Sequence, residues 1–236
     1  MHRGFKVSAI VTSSGKATRF GSNKLLQEID GSTVLERTVR TIIAPEIDEL
    51  IVTVSPDNEP LYREILVEKG GIDARIVLGD RERFLSARNG LRATTGDIVL
   101  VHDGVRPFVS HRMITQVLDA AIDHGAAMLG LPSTVQIKLV SEDGFVKDSL
   151  DRSASWYGQT PQAFRRELLE EAYEKAIADE YFIVSDDADL VARYAGCPPR
   201  ILQGHEFNIK ITTPLDMIIA RDIARQLTER GPDASF

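Results

Sequence analysis

The chain has 236 residues, 43% of them hydrophobic, enough to bury the core of one large α/β domain. Its formal charge of -7 excludes the basic face that non-specific nucleic-acid binding needs, so any anionic ligand must be held by a local basic pocket. The single Cys197 offers neither a disulfide partner nor a zinc cluster, residues 1–6 lack the long apolar segment of a secretory signal, and no run reaches the length of a membrane span. A cytoplasmic protein with no nucleic-acid or membrane partner is therefore expected.

The first apolar run, 7–11, is short and β-branched; it reads as a strand feeding a loop of small and polar residues over 12–24. After Asp30-Gly31, Ser32 is placed to cap a helix over 32–43, with Val34, Leu35, Thr38, Val39 and Ile42 along one side until Pro45. The alternation continues with strand 50–54, helix 59–68, strand 74–78, helix 83–93, strand 98–101, helix 113–124 and strand 126–131. Strands separated by helices imply right-handed βαβ crossovers, hence an α/β fold with a doubly wound, mainly parallel sheet of Rossmann-like kind, in a single domain spanning 1–236.

Over 133–157 the pattern changes. Val135-Gln136-Ile137-Lys138-Leu139 alternates like a half-exposed strand, and Ser141-Glu142-Asp143-Gly144 has hairpin-turn chemistry, so the segment reads as a protruding β-arm. Apolar residues on an arm with no sheet to cover them point to a second subunit, and so to a homodimer. Helices over 165–177 and 186–194, a strand over 199–202 and a final helix over 214–228 complete the chain.

Open parallel sheets bind ligands at the carboxyl ends of their strands, which directs attention to three loops. Loop 12–24 combines small residues, whose backbone N–H groups can approach phosphate, with the cations Lys16, Arg19 and Lys24; a solvated turn and a phosphate cradle fit it equally. It is neither a Walker loop nor a Gly-x-Gly-x-x-Gly dinucleotide loop, which disfavours a nicotinamide-dependent oxidoreductase. His102-Asp103-Gly104-Val105-Arg106-Pro107 follows a buried strand. There Asp103 can hold a hard cation, with Arg106 for phosphate, or can cap the next turn with Arg106 as its ion-pair partner. The charged run Gly79-Asp80-Arg81-Glu82-Arg83 suits a helix start as well as a binding loop.

Taken together these segments resemble the cytidylyltransferases that act on polyol phosphates, the family of the 2-C-methyl-D-erythritol 4-phosphate and ribitol-5-phosphate enzymes. The resemblance rests on Ser13-Ser14-Gly15 with Arg19-Phe20-Gly21, Lys24, Arg83-x-x-Ser86, 101–108, Asp151-Arg152-Ser153, 159–164 and 207–214, in that order. It implies that Ser13, Ser14 and Gly15 cradle the triphosphate of CTP, that Arg19 and Lys24 neutralise charge at the α-phosphate and leaving pyrophosphate, and that Asp103 holds Mg2+. It further implies that Gly79, Asp80 and Ser86 bind base and ribose. Arg106, Arg152 and Lys210 would hold the acceptor's phosphate, with Gln136 and Ser185 as further acceptor contacts, and Arg152 and Lys210 would join Arg19 and Lys24 as catalytic cations. An arm interlocked with a second subunit is implied too.

The sequence departs from the family in several places. Ser13-Ser14 stands where Ala-Ala or Ala-Gly is common, Ala17 replaces a frequent glycine, and Asn23 rather than proline precedes Lys24. Asp80-Arg81 stands where Gly-Asp is usual, and Val135 and Gln136 replace Asp and Thr. The expected reaction is in-line attack of a phosphate oxygen on the α-phosphorus without a covalent enzyme intermediate. The acceptor is expected to be methylerythritol phosphate, with ribitol phosphate as the alternative and a nucleotide-binding homologue without activity as the remote one.

Overall fold

The structure, a computed structural model, describes residues 1–15 and 23–230, with the side chain of Arg230 left aside. The elements in chain order are β1 (Val7–Ser13), β2 (Glu28–Ile29), β3 (Ser32–Thr33), α1 (Val34–Ile42), β4 (Glu49–Val54), α2 (Glu59–Arg63, continued by a π-turn Glu64–Glu68), β5 (Arg75–Leu78), α3 (Arg83–Arg92), β6 (Ile98–Asp103), α4 (His111–His124) and β7 (Ala126–Pro132). The second half adds β8 (Lys138–Val140), β9 (Val146–Ser149), β10 (Trp156–Arg165), α5 (Arg166–Ala178), α6 (Asp187–Tyr194), β11 (Arg200–Gln203) and α7 (Pro214–Arg230).

Seven strands form one sheet in the order β11-β7-β10-β6-β1-β4-β5. All pair in parallel except β10, which runs antiparallel to β6 on one side and β7 on the other. The sheet is buried on both faces, and its strands show why: Val7, Ala9 and Val11 of β1 join one apolar cluster with α1, α4 and α7, while Ile10 joins the other with α3, α5 and α6. β6 repeats the division, with Ile98 and Leu100 on the first face and Val99 and Val101 on the second. The two-residue period of a strand thus builds two cores from near-continuous apolar runs.

At the amino end of the parallel strands, Glu49 closes a corner. Its carboxylate accepts from Lys6 Nζ at 2.7 Å, Ser8 Oγ at 2.6 Å, Thr95 Oγ1 at 2.6 Å and the Thr95 amide at 2.8 Å. Partial burial alone would raise its pKa, but these donors bring it down to about 2. The starts of β1, β4 and β6 are thereby tied to one another.

Three details differ from the sequence reading. The cap of α1 is Thr33, whose hydroxyl accepts from the Glu36 amide at 3.1 Å; the helix begins at Val34, and Ser32 and Thr33 both pair in the short β2–β3 ladder. Strand β6 runs two residues further than 101, since β1 continues to pair with it at Val11↔His102 and Thr12↔Asp103. Strand β10, between the arm and α5, has no counterpart in the sequence reading. The arm itself is the β8–β9 hairpin beyond β7, with Val135, Phe145 and Val146 exposed by 66%, 72% and 62%.

Candidate active site

The carboxyl ends of β1 and β6 open onto a cleft of about 270 Å³. Its walls include Ser13, Ser14 and Gly15 after β1, Lys24 and Leu25 of a short 3-10 turn, Arg81 and Arg83 at the start of α3, Asp103 at the end of β6, and Lys210. Strand pairing places Asp103 beside Thr12, so the first loop and the carboxylate share one edge. The segment carrying Lys210 is tied down by the Ile211 amide donating to the Val105 carbonyl at 3.0 Å and by Arg106 Nη1 donating to the Asn208 carbonyl at 2.8 Å.

Asp103 is 4% exposed and meets three cations. Arg83 Nε donates to its Oδ1 at 2.8 Å, while Lys210 Nζ at 2.9 Å and Arg106 Nε at 3.3 Å share its Oδ2. Burial would raise this carboxyl, but the charges of Arg83, Lys210 and Arg106 hold it well below the usual carboxylate range. Arg106, 7% exposed, is lowered by its own burial against the pull of Asp103. One carboxylate facing three cations leaves the corner positively charged, which suits a polyanion.

Arg83 is bound at its other side as well. Its Nη1 donates to Asp187 Oδ2 at 2.6 Å, and Tyr173 donates its hydroxyl to Asp187 Oδ1 at 2.8 Å. Burial would lower the guanidinium, but Asp187 and Asp103 together hold it well above its ordinary value. Ser13 Oγ and Arg83 Nη2, atoms of residues lining the cleft, are buried without a partner among the described residues, as is Asn208 Oδ1 in the segment that holds Arg106. Unsatisfied buried donors and acceptors are costly in a native fold and concentrate where a ligand or ion completes them.

The support of Asp103 reaches into β10. His102 is fully buried and its pKa falls to about 4, chiefly through that burial. The imidazole is therefore neutral, and the carbonyl of Arg106, an acceptor only, at 3.0 Å from Nε2, requires the proton on that nitrogen. Nδ1 then accepts from the Thr160 hydroxyl at 3.0 Å, whose oxygen accepts from the Asp103 amide at 3.1 Å. The chain Asp103–Thr160–His102–Arg106 leaves each of these donors one partner.

The Gly79-Asp80 turn and Ser86 cluster next to the first loop. A Cβ on Gly79 would stand 2.6 Å from the Cβ of Ser14, so only glycine allows the approach of the β5–α3 turn to β1. Ser86 is fully buried and bonds to the hydroxyl of Ser14 at 2.6 Å and to the Asp80 amide at 2.8 Å. Its geometry pins the Gly79-Asp80 turn to the first loop. Asp80 is exposed, and its Oδ1 accepts from the Arg81 amide.

Among the residues singled out from sequence, Ser13, Ser14, Gly15, Lys24, Asp103 and Lys210 line this cleft, with Gly79, Asp80, Ser86 and Arg106 directly behind or beside it. Arg19 lies outside the described residues. Ser185 borders a smaller cavity of about 60 Å³, which shares Arg83 with the cleft. Gln136 and Arg152 are exposed on the arm and do not line the cleft; Gln136 Nε2 bonds instead to the Leu150 carbonyl at 2.8 Å. Sequence reasoning left out Arg83 as a site residue, along with Asp187, Tyr173 and Thr160. Arg83-x-x-Ser86 was a visible signal, whereas nothing in the spacing of Asp187 and Tyr173 announces their meeting.

A cationic pocket beside Ser13, Ser14 and Gly15 at the carboxyl edge of a doubly wound sheet suits a nucleotidyltransferase, the class to which the family match assigns the chain. The family model described as 2-C-methyl-D-erythritol 4-phosphate cytidylyltransferase (IspD) matches residues 7–226, and the chain belongs to that family. It is 42% identical over 223 residues to the 2-C-methyl-D-erythritol 4-phosphate cytidylyltransferase of Syntrophus aciditrophicus, covering 91% of this chain and 94% of that one. Among solved structures it resembles the 4-diphosphocytidyl-2C-methyl-D-erythritol synthase of Anaerococcus prevotii, with a TM-score of 0.82 at 34% identity, covering 93% of this chain and 96% of that one. The Thermus thermophilus 2-C-methyl-D-erythritol 4-phosphate cytidylyltransferase gives a TM-score of 0.76 at 31% identity, covering 93% and 99%. No helix among the described residues is long and apolar enough to cross a membrane.

Proposed function

We propose that this chain, acting as a single cytoplasmic domain, transfers CMP from CTP to 2-C-methyl-D-erythritol 4-phosphate and releases pyrophosphate. The observation that carries the reading is the cleft in which Asp103 meets Arg83, Arg106 and Lys210 beside the Ser13-Ser14-Gly15 loop and Lys24, in a chain of this family. A phosphate oxygen of the acceptor attacks the α-phosphorus, the new P–O bond forms in line with the one that breaks, and pyrophosphate leaves on the opposite side. The attacking oxygen is already ionised near neutral pH, so no general base is needed; positioning and charge stabilisation carry the rate.

In this reading the backbone of Ser13, Ser14 and Gly15 cradles the triphosphate, Lys24 and Arg19 neutralise charge developing at the α-phosphate, and the Gly79-Asp80 turn, pinned by Ser86, meets the base and ribose. Lys210 and Arg106 supply positive potential for the acceptor phosphate. The donor set suits Mg2+ held by Asp103. The described residues include no group of three His, Cys, Asp or Glu able to hold an ion by themselves, and magnesium characteristically takes one or two carboxylates plus phosphate oxygens and water. The unpartnered Ser13 hydroxyl adds an oxygen at the same edge. When bound, the ion would neutralise charge on the triphosphate.

The arm supports a homodimer. Its exposed Val135, Phe145 and Val146 form apolar surface that a second subunit would cover, and an arm crossing to that subunit would carry Gln136, Arg152 and its neighbours to the other cleft, where the acceptor phosphate binds. Phe145→Asp is expected to yield monomers in light scattering and to lose most activity. The reading as a whole is tested by pyrophosphate release with CTP, Mg2+ and either methylerythritol phosphate or ribitol phosphate. Release with the first acceptor supports it, release with ribitol phosphate alone replaces the acceptor, and no release with either refutes it.

A further inference from the structure

We propose that Asp187 is a positioning residue for this reaction: through Arg83 it sets the orientation of the Asp103 carboxylate and so joins the acceptor-side loop to the nucleotide-side cleft. The inference rests on the assignment of the cleft made above. Asp187 is fully buried, and each of its oxygens is committed, Oδ1 to the Tyr173 hydroxyl at 2.8 Å and Oδ2 to Arg83 Nη1 at 2.6 Å. Tyr173 is itself fully buried, and burial beside Asp187 pushes its phenol well above the ordinary value, so it is a permanent donor.

The anchor is rigid for a second reason. Gln162 of β10 clamps the start of α6, donating through Nε2 to Asp186 Oδ2 at 2.9 Å and accepting through Oε1 from the Ala188 amide at 3.1 Å. Asp186 in turn caps α6 by accepting from the Asp189 amide at 2.9 Å. Asp187, at the start of α6 where Gln162 clamps it to the sheet, therefore holds Nη1 of the Arg83 guanidinium, and the Nε edge is left to Asp103 Oδ1 at 2.8 Å. Released from Asp187, the guanidinium could turn and compete with Lys210 and Arg106 for Asp103 Oδ2, reorienting the carboxylate at the cleft.

Stability alone gives little reason for such an arrangement. A fully buried carboxylate holding a half-buried arginine is seldom better than apolar packing, and Arg83 Nη2 has no partner among the described residues. The geometry has a use at the site. Arg83 borders both the main cleft and the smaller cavity at Ser185, and Asp187 follows Ser185 by two residues. A ligand that settles the Ser185 loop also settles the anchor of Asp103.

The test uses the full-length enzyme with Asp187→Asn, Tyr173→Phe and both together, measuring kcat, KM for each substrate, CTP affinity by calorimetry without acceptor, and thermal melting. Misplaced machinery is expected to lower kcat by about 30- to 100-fold in Asp187→Asn and about 3- to 10-fold in Tyr173→Phe, with CTP affinity within about 3-fold. Because both act through one carboxylate, the double variant should lose no more than Asp187→Asn alone. Unchanged kcat per folded enzyme in Tyr173→Phe, or losses that multiply in the double variant, would overturn the inference; should Asp187→Asn fail to fold, Tyr173→Phe decides. A wild-type enzyme that releases no pyrophosphate refutes the proposed reaction instead, whereas active wild type with indifferent variants removes the positioning role only.

Discussion

Two carboxylates stand at opposite ends of the same parallel strands, and their surroundings differ in kind. At the amino end, Glu49 faces one cation, Lys6, and closes its remaining valence on Ser8 and Thr95, so the corner is neutral and saturated. At the carboxyl end, Asp103 faces Arg83, Arg106 and Lys210, and Ser13 Oγ and Arg83 Nη2 nearby have no partner among the described residues. The first arrangement lowers the free energy of the fold and has nothing left to offer a ligand. The second carries surplus charge and unmet hydrogen-bonding capacity, which a bound phosphate group would satisfy. A carboxylate's depressed pKa, common to both, does not separate a structural role from a functional one; the balance of charge and of hydrogen bonds does.

That contrast can be broken by substitution. The largest effect is expected at the first loop, where Lys24→Ala should lower kcat by about 10²- to 10³-fold while changing CTP affinity far less, as for loss of one donor to developing oxyanion charge. Near-normal turnover would remove Lys24 from the mechanism. At the overcharged corner, Lys210→Met should cost about 10- to 10²-fold in kcat/KM with a melting temperature unchanged or raised, since one of three mutually repelling cations is gone. At the saturated corner the expectation inverts: Glu49→Gln should leave kcat within about 2-fold and cost about 1 kcal/mol of stability at neutral pH, a figure reduced for solvent screening.

The pH dependence of that last variant has a definite sign. Glu49 is near 4.5 when unfolded and about 2 when folded. Its contribution is thus complete above 4.5 and is lost as pH falls toward 2. Denaturant titrations of wild type and Glu49→Gln should converge over that window; a constant gap down to pH 2 would show that packing, and not charge, accounts for the loss.

Where hydrophobic period and turn chemistry agreed, the fold was legible, as in β1, α1, β4 and β7. Strand β10 was not, because it breaks the rules that make strands visible. It carries Gly158 and Pro161 with Gln159, Thr160 and Gln162, and a proline ordinarily argues against a central strand. The ladder with β7 shifts register between Gln159 and Gln162, which accommodates the proline, and the buried polar side chains are spent on other elements. Gln162 clamps α6, Gln159 Nε2 donates to the His205 carbonyl at 2.9 Å, and Thr160 serves His102. A strand whose polar residues are tools for fastening neighbours looks like a loop in sequence. The cleft residues were legible largely because a family pattern gathers them; Asp187 and Tyr173 were not, since their partnership depends on how α5 and α6 fold over one face of the sheet.

The direction of β10 also bears on how the chain assembles. Strands β6 and β7 are not neighbours; β10 stands between them and, among the described residues, is the only strand joining β7 and β11 to the other four. Residues up to Asp103 can pair β1, β4, β5 and β6 among themselves as they emerge from synthesis, but β7 has no place in the sheet until residues 156–165 arrive. The exposed edge of β6 must wait for a partner more than sixty residues downstream, Gln162 for Val101, an interval in which it is open to mispairing. The same late insertion brings Thr160 to the Asp103 amide, so Asp103 acquires its final setting only when the two halves of the sheet are sewn together.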